Sequence, residues 1–243
     1  MSKIEIPTKF VDNAKFVLGI FTDVETEYDS LLHIMTLTFD SYWRRRMLSK
    51  MDPSREARVL DLACGTGLVT FQIVRSTPTP QIVVGLDLSP AMLRMAKRDK
   101  SREQSGRPAE FVRAAGEFLP FRDELFDYIT VGLALRNFAN KLAVFHESKR
   151  VLGPAGCFLS VDFVRLDSSS VWLLYRFHIF HVLPIMGRLV SSHWKRTLIY
   201  LANSITIAVP PSEVCGLLTA VGFRRTFLDK MSFGIVALIE ARK

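Results

Sequence analysis

The chain reads as an α/β protein built on a doubly wound, seven-stranded, mostly parallel sheet, with helical segments ahead of it and inserted into it and an antiparallel hairpin at its C-terminal end. Three observations predict this. Short apolar runs alternate with helical patterns, which is how a parallel sheet comes to be covered on both faces. The run Val59-Leu60-Asp61-Leu62-Ala63 leads directly into Cys64-Gly65-Thr66-Gly67, as a buried strand does where it turns toward a nucleotide-type ligand. Beyond Gly222, two strand-like segments follow with no helical pattern between them, so they pair as a hairpin.

Taken in order, the pattern is helical from about Pro7 to Met51. Strands are expected near Arg58–Ala63, Ile82–Asp87, Glu110–Ala115, Tyr128–Leu133 and Cys157–Phe163, and helices near Gly67–Val74, Pro90–Asp99 and Lys141–Leu152. The second of these helices is signalled by Ser89 as N-cap with Pro90 in the first turn. Connections usually run roughly 2–6 residues plus a helix, so the stretch from Arg165 to Ile205 is an insertion, expected to form a helical lid over the substrate site. A helix from about Pro211 to Val221 stops at Gly222, and Phe223–Leu228 and Ile235–Ala241 complete the hairpin. Residues 1–243 are expected to form one domain, with 1–51 as a helical cap and 165–205 as the lid.

With 243 residues and 49% hydrophobic content the chain can bury a large core, and it contains no repeat, linker or low-complexity segment. Phe16 to Ile20 is flanked by Asp12, Lys15, Asp23 and Glu25, which is no signal peptide, and the expected location is cytoplasmic. Cys64, Cys157 and Cys215 are odd in number and lack metal-ligand spacing, which suits a reducing compartment; Cys64 is expected as a small packed side chain. Within the insertion, Val171 to Pro184 is apolar but interrupted by Arg176, His178 and His181, short of the about 20 residues a membrane span needs. Four Arg and one Lys face Asp167 alone between Arg165 and Ile205. Two readings follow: a core-packed helix pair with a basic wet face, or a hydrophobic substrate pocket whose rim touches an anionic membrane.

Gly65 and Gly67 permit backbone angles and a close approach that side chains forbid, and the helix after them would aim unpaired N–H groups at a ligand. Asp87 lies twenty positions beyond Gly67, where a carboxylate reaches a ribose diol. Thr70 occupies the place of the third glycine of a dinucleotide fingerprint, which argues against NAD and FAD. Asp61 and Asp87 are the leading cofactor candidates, because a buried strand-end acid without a partner costs too much to keep for packing alone. The plainer reading is that the glycines only turn a strand into a helix. Together with Ala114-Ala115-Gly116-Glu117-Phe118-Leu119-Pro120-Phe121 and Leu125-Phe126-Asp127, however, the arrangement resembles the Rossmann-like class I S-adenosylmethionine (AdoMet) methyltransferases.

Further segments carry a closer resemblance. Leu135-Arg136-Asn137, Arg150-Val151-Leu152-Gly153-Pro154-Ala155-Gly156, Phe180-His181-Val182-Leu183-Pro184, Tyr200-Leu201-Ala202-Asn203-Ser204-Ile205 and Gly234-Ile235-Val236-Ala237-Leu238 are similar to the UbiE-type ubiquinone/menaquinone biosynthesis C-methyltransferases. The family's N-terminal signature is present as Tyr28-Asp29-Ser30-Leu31-Leu32, then Thr36, Asp40 and Trp43, with Leu31 and Leu32 for methionine and asparagine and Asp40 for histidine. Near the fifth strand Gly153, Asp162 and Val164 replace lysine, glutamate and serine, so the chain resembles a divergent member. The resemblance implies that Thr66 and Asp87 hold AdoMet, that Ala115 and Gly116 flank its adenine, and that Gly132 lies near its methionine part.

It also implies C-methylation of a prenylated aromatic quinol, with Arg136 stabilising the ring oxyanion or relaying its proton through a water, and Asn137 and Tyr28 orienting the ring. Arginine is no free base near neutral pH; the competing role for Arg136 is a structural ion pair with Glu117 or Asp127. His178 and His181 have no third ligand, and no metal is expected. The net charge of +8 and the cluster Trp43-Arg44-Arg45-Arg46 raise an RNA methyltransferase as the alternative, which Leu135-Arg136-Asn137-Phe138 disfavours because it is not the polar loop such enzymes use. A non-catalytic methyltransferase-like subunit is the other alternative, and a homodimer is left open.

Overall fold

Val59, Leu60 and Leu62 are fully buried, which requires strand β1 (Arg58–Leu62) to be covered on both faces. In the computed structural model, which describes residues 10–54, 56–76, 78–98, 109–165 and 169–243, β1 lies near the middle of a seven-stranded sheet of order β3-β2-β1-β4-β5-β7-β6. The other strands are β2 (Ile82–Asp87), β3 (Glu110–Arg113), β4 (Phe126–Gly132), β5 (Leu152–Phe163), β6 (Arg225–Met231) and β7 (Val236–Arg242). All neighbours pair in parallel except β7, which runs antiparallel to both β5 and β6. This is the class I methyltransferase arrangement, with the expected terminal hairpin.

Side chains alternate across a strand, and β1 shows it: Val59 joins the core that contains Val69, Val83 and Leu159, whereas Leu60 and Leu62 join the one that contains Val84, Ile129 and Phe158. Helix α4 (Leu68–Val74) packs on the first face, and α6 (Lys141–Val151) and α10 (Pro211–Val221) on the second. Helix α5 (Pro90–Arg98) starts as predicted, Ser89 Oγ accepting from Met92 N–H at 3.3 Å; the expected end at Asp99 lies outside the described residues.

The N-terminal helical stretch consists of α1 (Phe10–Thr22), α2 (Tyr28–Met35) and α3 (Phe39–Leu48), with Pro7 to Lys9 outside the described residues. One boundary moves at the hairpin. The sequence pattern places Phe223 in a strand, but its N–H closes α10 by bonding Leu218 O at 3.1 Å across left-handed Gly222, and its ring is buried. The strand therefore begins at Arg225.

The insertion is helical: α7 (Ser169–Phe177), a wide π turn over His178–Val182, α8 (Leu183–Val190) and α9 (Ser192–Thr206); Leu166 to Ser168, with Asp167, lie outside the described residues. Pro184 explains the π turn, since a proline inside a helix lacks its N–H and crowds the carbonyl four residues back. The core-packed reading holds for only part of this segment. Trp194, Leu198, Leu201, Ala202 and Ile205 of α9 are core residues, whereas Leu173, Leu174, Ile185 and Leu189 of α7 and α8 stand in solvent, Leu189 at 83% exposure. No single described helix is long and apolar enough to cross a membrane.

Candidate active site

Where the strand order reverses beside β1, the loops after β1 and β4 leave a crevice at the carboxyl ends of the strands, the usual ligand position in such sheets. Asp61, Gly65, Thr66, Asp87, Ala115, Gly116 and Gly132 line it, as do Tyr28 and Asn137. Gly67 and Arg136 are not on its wall. Gly67 instead precedes α4 with φ +86°, and a Cβ there would lie 2.7 Å from the Phe71 ring. Its N–H is taken by Cys64 O at 2.9 Å.

Asp87 holds the glycine turn and is held by it. Oδ2 accepts from Gly65 N–H at 2.8 Å and Oδ1 from Ser89 N–H at 2.7 Å. A carboxylate offers roughly four acceptor positions, so Asp87 retains acceptor capacity toward the cleft. Burial raises the pKa of this acid, against the hydrogen bonds from Ser89, Gly65 and Leu88 that lower it. Gly65, at φ +56°, faces open space where a side chain would project. Thr66 donates to Asp29 at 2.6 Å and ties the turn to α2.

Asp61 differs from expectation. The sequence marks it as a buried acid lacking a partner, but Thr70 and Thr130 donate to its two oxygens at 2.6 and 2.9 Å. Thr130 is its direct neighbour across the β1–β4 pairing, and α4 brings Thr70 over the same face. Burial pushes its pKa up to about 6 despite both hydroxyls. Asp61 thereby joins β1, β4 and α4 at the cleft floor. Gly132, whose Cβ would lie 2.7 Å from Val69 Cγ2, allows the same close approach of helix and strand. Cys64 is buried with its thiol pKa well raised by burial, as a packed side chain rather than a nucleophile.

A second, deeper cavity adjoins the cleft, and Phe21, Tyr28, Leu32 and Leu133 line both. Arg136 belongs here. Its ion-pair partner is neither Glu117 nor Asp127 but Asp162, which takes the guanidinium Nη1 on Oδ1 and the Arg136 backbone N–H on Oδ2 at 2.8 Å. The same Nη1 donates to Leu133 O at 2.7 Å, and Nε donates to Ser204 Oγ at 3.2 Å. Nη2 alone has no protein partner among the described residues. The guanidinium carbon also lies 5.5 Å from the centre of the Phe163 ring. Asp162 and Ser204 enter through the fold: Asp162 is the penultimate residue of β5, and Ser204 comes from the inserted helix.

Tyr28 and Tyr200 have hydroxyls pushed up to about 12 by burial, so both remain protonated near neutral pH. Tyr200 donates to Asn137 Oδ1 at 2.8 Å and fixes that amide. The Trp43-Arg44-Arg45-Arg46 cluster is no stacking surface for nucleic acid: Trp43 is buried, and buried Arg44 pairs with Asp40 at 2.6 Å and lines the cleft. His33, ordinary by its sequence context, bonds Asp40 at 2.9 Å. Leu88 and Met92 also line the cleft and belong to no motif read from the sequence, their only signal being proximity to Asp87; Phe138, from the Leu135-Arg136-Asn137-Phe138 segment, lines it too.

The model of the ubiE/COQ5 methyltransferase family matches residues 8–243. The chain is 32% identical over 239 residues to a Marinomonas protein named ubiquinone/menaquinone biosynthesis C-methyltransferase UbiE, covering 98% of this chain and 94% of that one. It is 31% identical over 219 residues to a demethylmenaquinone methyltransferase of Thermus thermophilus, covering 90% and 97%. Among solved structures it is similar in fold to a SAM-dependent methyltransferase from Thermotoga maritima, with a TM-score of 0.63, 16% identity, and 93% and 98% of the two chains covered.

Proposed function

The chain belongs to the ubiE/COQ5 methyltransferase family and is an AdoMet-dependent methyltransferase; we propose that it methylates a ring carbon of a prenylated aromatic quinol, of the demethylmenaquinol or demethylubiquinol kind. The observation that carries the acceptor is the deep apolar cavity beside the cleft, with one buried cation on its wall. The cleft residues fit AdoMet. Gly65 leaves open space where a ligand must approach the backbone, Asp87 keeps acceptor capacity for a ribose diol, and Leu88, Met92 and Phe138 offer an apolar slot beside Ala115 and Gly116. Thr66 and Gly132 complete the wall, and Asp61 acts from beneath it.

Bound AdoMet supplies an electrophilic sulfonium methyl. The chain must make the acceptor carbon nucleophilic, and a phenol does so when its hydroxyl loses a proton and charge spreads to the ortho carbon. A dry cavity opposes that ionisation, so a local positive charge is needed. Arg136 provides it. Asp162 and Ser204 hold its guanidinium, and Nη2 is left for the developing oxyanion or for a water that carries the proton away. Tyr28, protonated, acts as a donor on the shared wall, and Asn137 is oriented by Tyr200. The reading places the enzyme in the cytoplasm at the surface of an anionic membrane, where the exposed apolar faces of α7 and α8 and the nearby Arg176 and Arg188 would meet lipid.

The test is product analysis by mass spectrometry with short-chain demethylated quinols and AdoMet. Wild-type protein should add one methyl to ring carbon. Arg136→Lys keeps a cation opposite Asp162 but loses the planar fork, and should cut turnover by a factor of about 100 while AdoMet affinity stays near wild type. Methylated RNA with unmodified quinol would select the alternative reading.

A further inference from the structure

Helix α9 presents three polar side chains toward the active site, one per turn: Thr197, Tyr200 and Ser204. Two of them have work within the protein. Ser204 Oγ accepts from Arg136 Nε at 3.2 Å, and Tyr200 donates to Asn137 at 2.8 Å. Thr197 is different. It is 4% exposed, it lines the deep cavity with Arg136 and Tyr28, and its Oγ1 has no hydrogen-bond partner among the described residues.

A helical threonine ordinarily satisfies its hydroxyl on the carbonyl four residues back. Thr22, Thr36, Thr206 and Thr219 do this here, at 2.8, 2.8, 2.9 and 3.0 Å. Thr197 does not. A buried hydroxyl without a partner destabilises a protein by an amount comparable to several methyl groups' burial, and valine would fill the same space without that cost. The hydroxyl is therefore explained by something that enters the cavity and bonds to it.

Resting on the quinol reading above, we infer that Thr197 Oγ1 is the hydrogen-bond partner of a second oxygen on the acceptor ring, and that it makes the enzyme prefer rings with two oxygens over rings with one. Arg136 addresses the oxygen that activates the ring, and Thr197, as donor or acceptor, addresses the other. Of the other hydroxyls on this cavity, Tyr200 is committed to Asn137 and Tyr28 stands on the wall shared with the cleft, whereas Leu31, Leu32, Met35 and Leu201 are apolar. A site built to pair an oxygen discriminates against the analogue lacking it, because the protein group is then left unpaired.

The experiment compares wild type with Thr197→Val and Thr197→Ser on two acceptors that carry the same short prenyl tail, a 1,4-dihydroxynaphthalene and the matching 1-naphthol. Thr197→Val should reduce the preference in kcat/KM for the dihydroxy ring about five- to tenfold, and Thr197→Ser should retain most of it. With the unpaired hydroxyl gone, Thr197→Val should also melt about 2–4 °C above wild type without ligand. An unchanged preference, or a valine variant that melts lower than wild type, would overturn the inference and leave the proposed reaction standing. If wild type binds the dihydroxy ring by calorimetry without methylating it, the reaction is wrong and Thr197 is judged by the same ratio in Kd. Binding of neither ring overturns both.

Discussion

At the scale of single residues, the site depends on carboxylates whose environments set them different tasks. Asp87 keeps acceptor capacity toward the cleft, so Asp87→Ala should lose charge-assisted hydrogen bonds of roughly 1.5–3 kcal/mol each and weaken AdoMet binding at least about tenfold by calorimetry. Unchanged affinity in a folded variant would remove it from the ribose position. Asp61 has its oxygens committed to Thr70 and Thr130, and its raised pKa has a consequence for stability. The folded protein keeps the Asp61 proton up to about pH 6, whereas the unfolded chain releases it near 3.8. The stabilisation is therefore complete below the unfolded value and is lost as pH rises through about 6. Asp61→Asn, which cannot ionise, should lack this loss and should gain on wild type by up to ~3 kcal/mol between pH 4 and pH 8 in urea unfolding. Equal pH dependence in both proteins would contradict the burial argument. The glycine turn and Asp87 were legible in the sequence because their spacing is local. The partners of Asp61 and Arg136 were not, because Thr130, Asp162 and Ser204 arrive from other elements.

At the scale of elements, the insertion divides its labour. Helix α9 is clipped to the N-terminal segment by Trp194 with Glu27 and by Arg196 with Asp23 at 3.0 Å, and it supplies Thr197, Tyr200 and Ser204 to the site. Gly187 lets α8 approach it closely, since a Cβ there would lie 2.7 Å from Leu198. Helices α7 and α8 carry the exposed apolar residues. If they rest on an anionic membrane, each nearby basic residue contributes about 1 kcal/mol, screened by salt, and each buried methylene of the substrate tail about 0.8 kcal/mol. Raising salt should release the protein from anionic vesicles in co-sedimentation, Leu189→Asp should weaken the same binding, and neither should alter AdoMet affinity. Shortening the prenyl tail should separately weaken acceptor binding in detergent. Indifference to lipid charge and to tail length would make α7 and α8 a surface without lipid and would favour a water-soluble acceptor. The sequence announced the insertion by its length and greasiness, but both readings of it fitted the same residues. Only the packing shows that α9 is largely core while α7 and α8 bury one side and leave the other in solvent.

At the scale of the whole molecule, strand, turn and helix signals determined the α/β class, the crossover pattern, the terminal hairpin and the position of the crevice at the strand ends. They are carried by short-range periodicity and by residues such as Gly65, Gly67 and Ser89, whose backbone or capping roles act within a few positions. The sequence alone also carried the family resemblance, and with it the AdoMet chemistry that the family match bears out. The tertiary structure decided which side chains meet. It divided the pocket into a cleft and a deeper cavity, moved Arg136 to the latter, gave it Asp162, buried Arg44 with Asp40, and left Thr197 without a partner among the described residues. The physical reason is that hydrogen bonding and burial depend on distances between residues as far apart as Arg136 and Ser204 in the chain, set by how the sheet twists and how the inserted helices close over it. No local pattern encodes those distances.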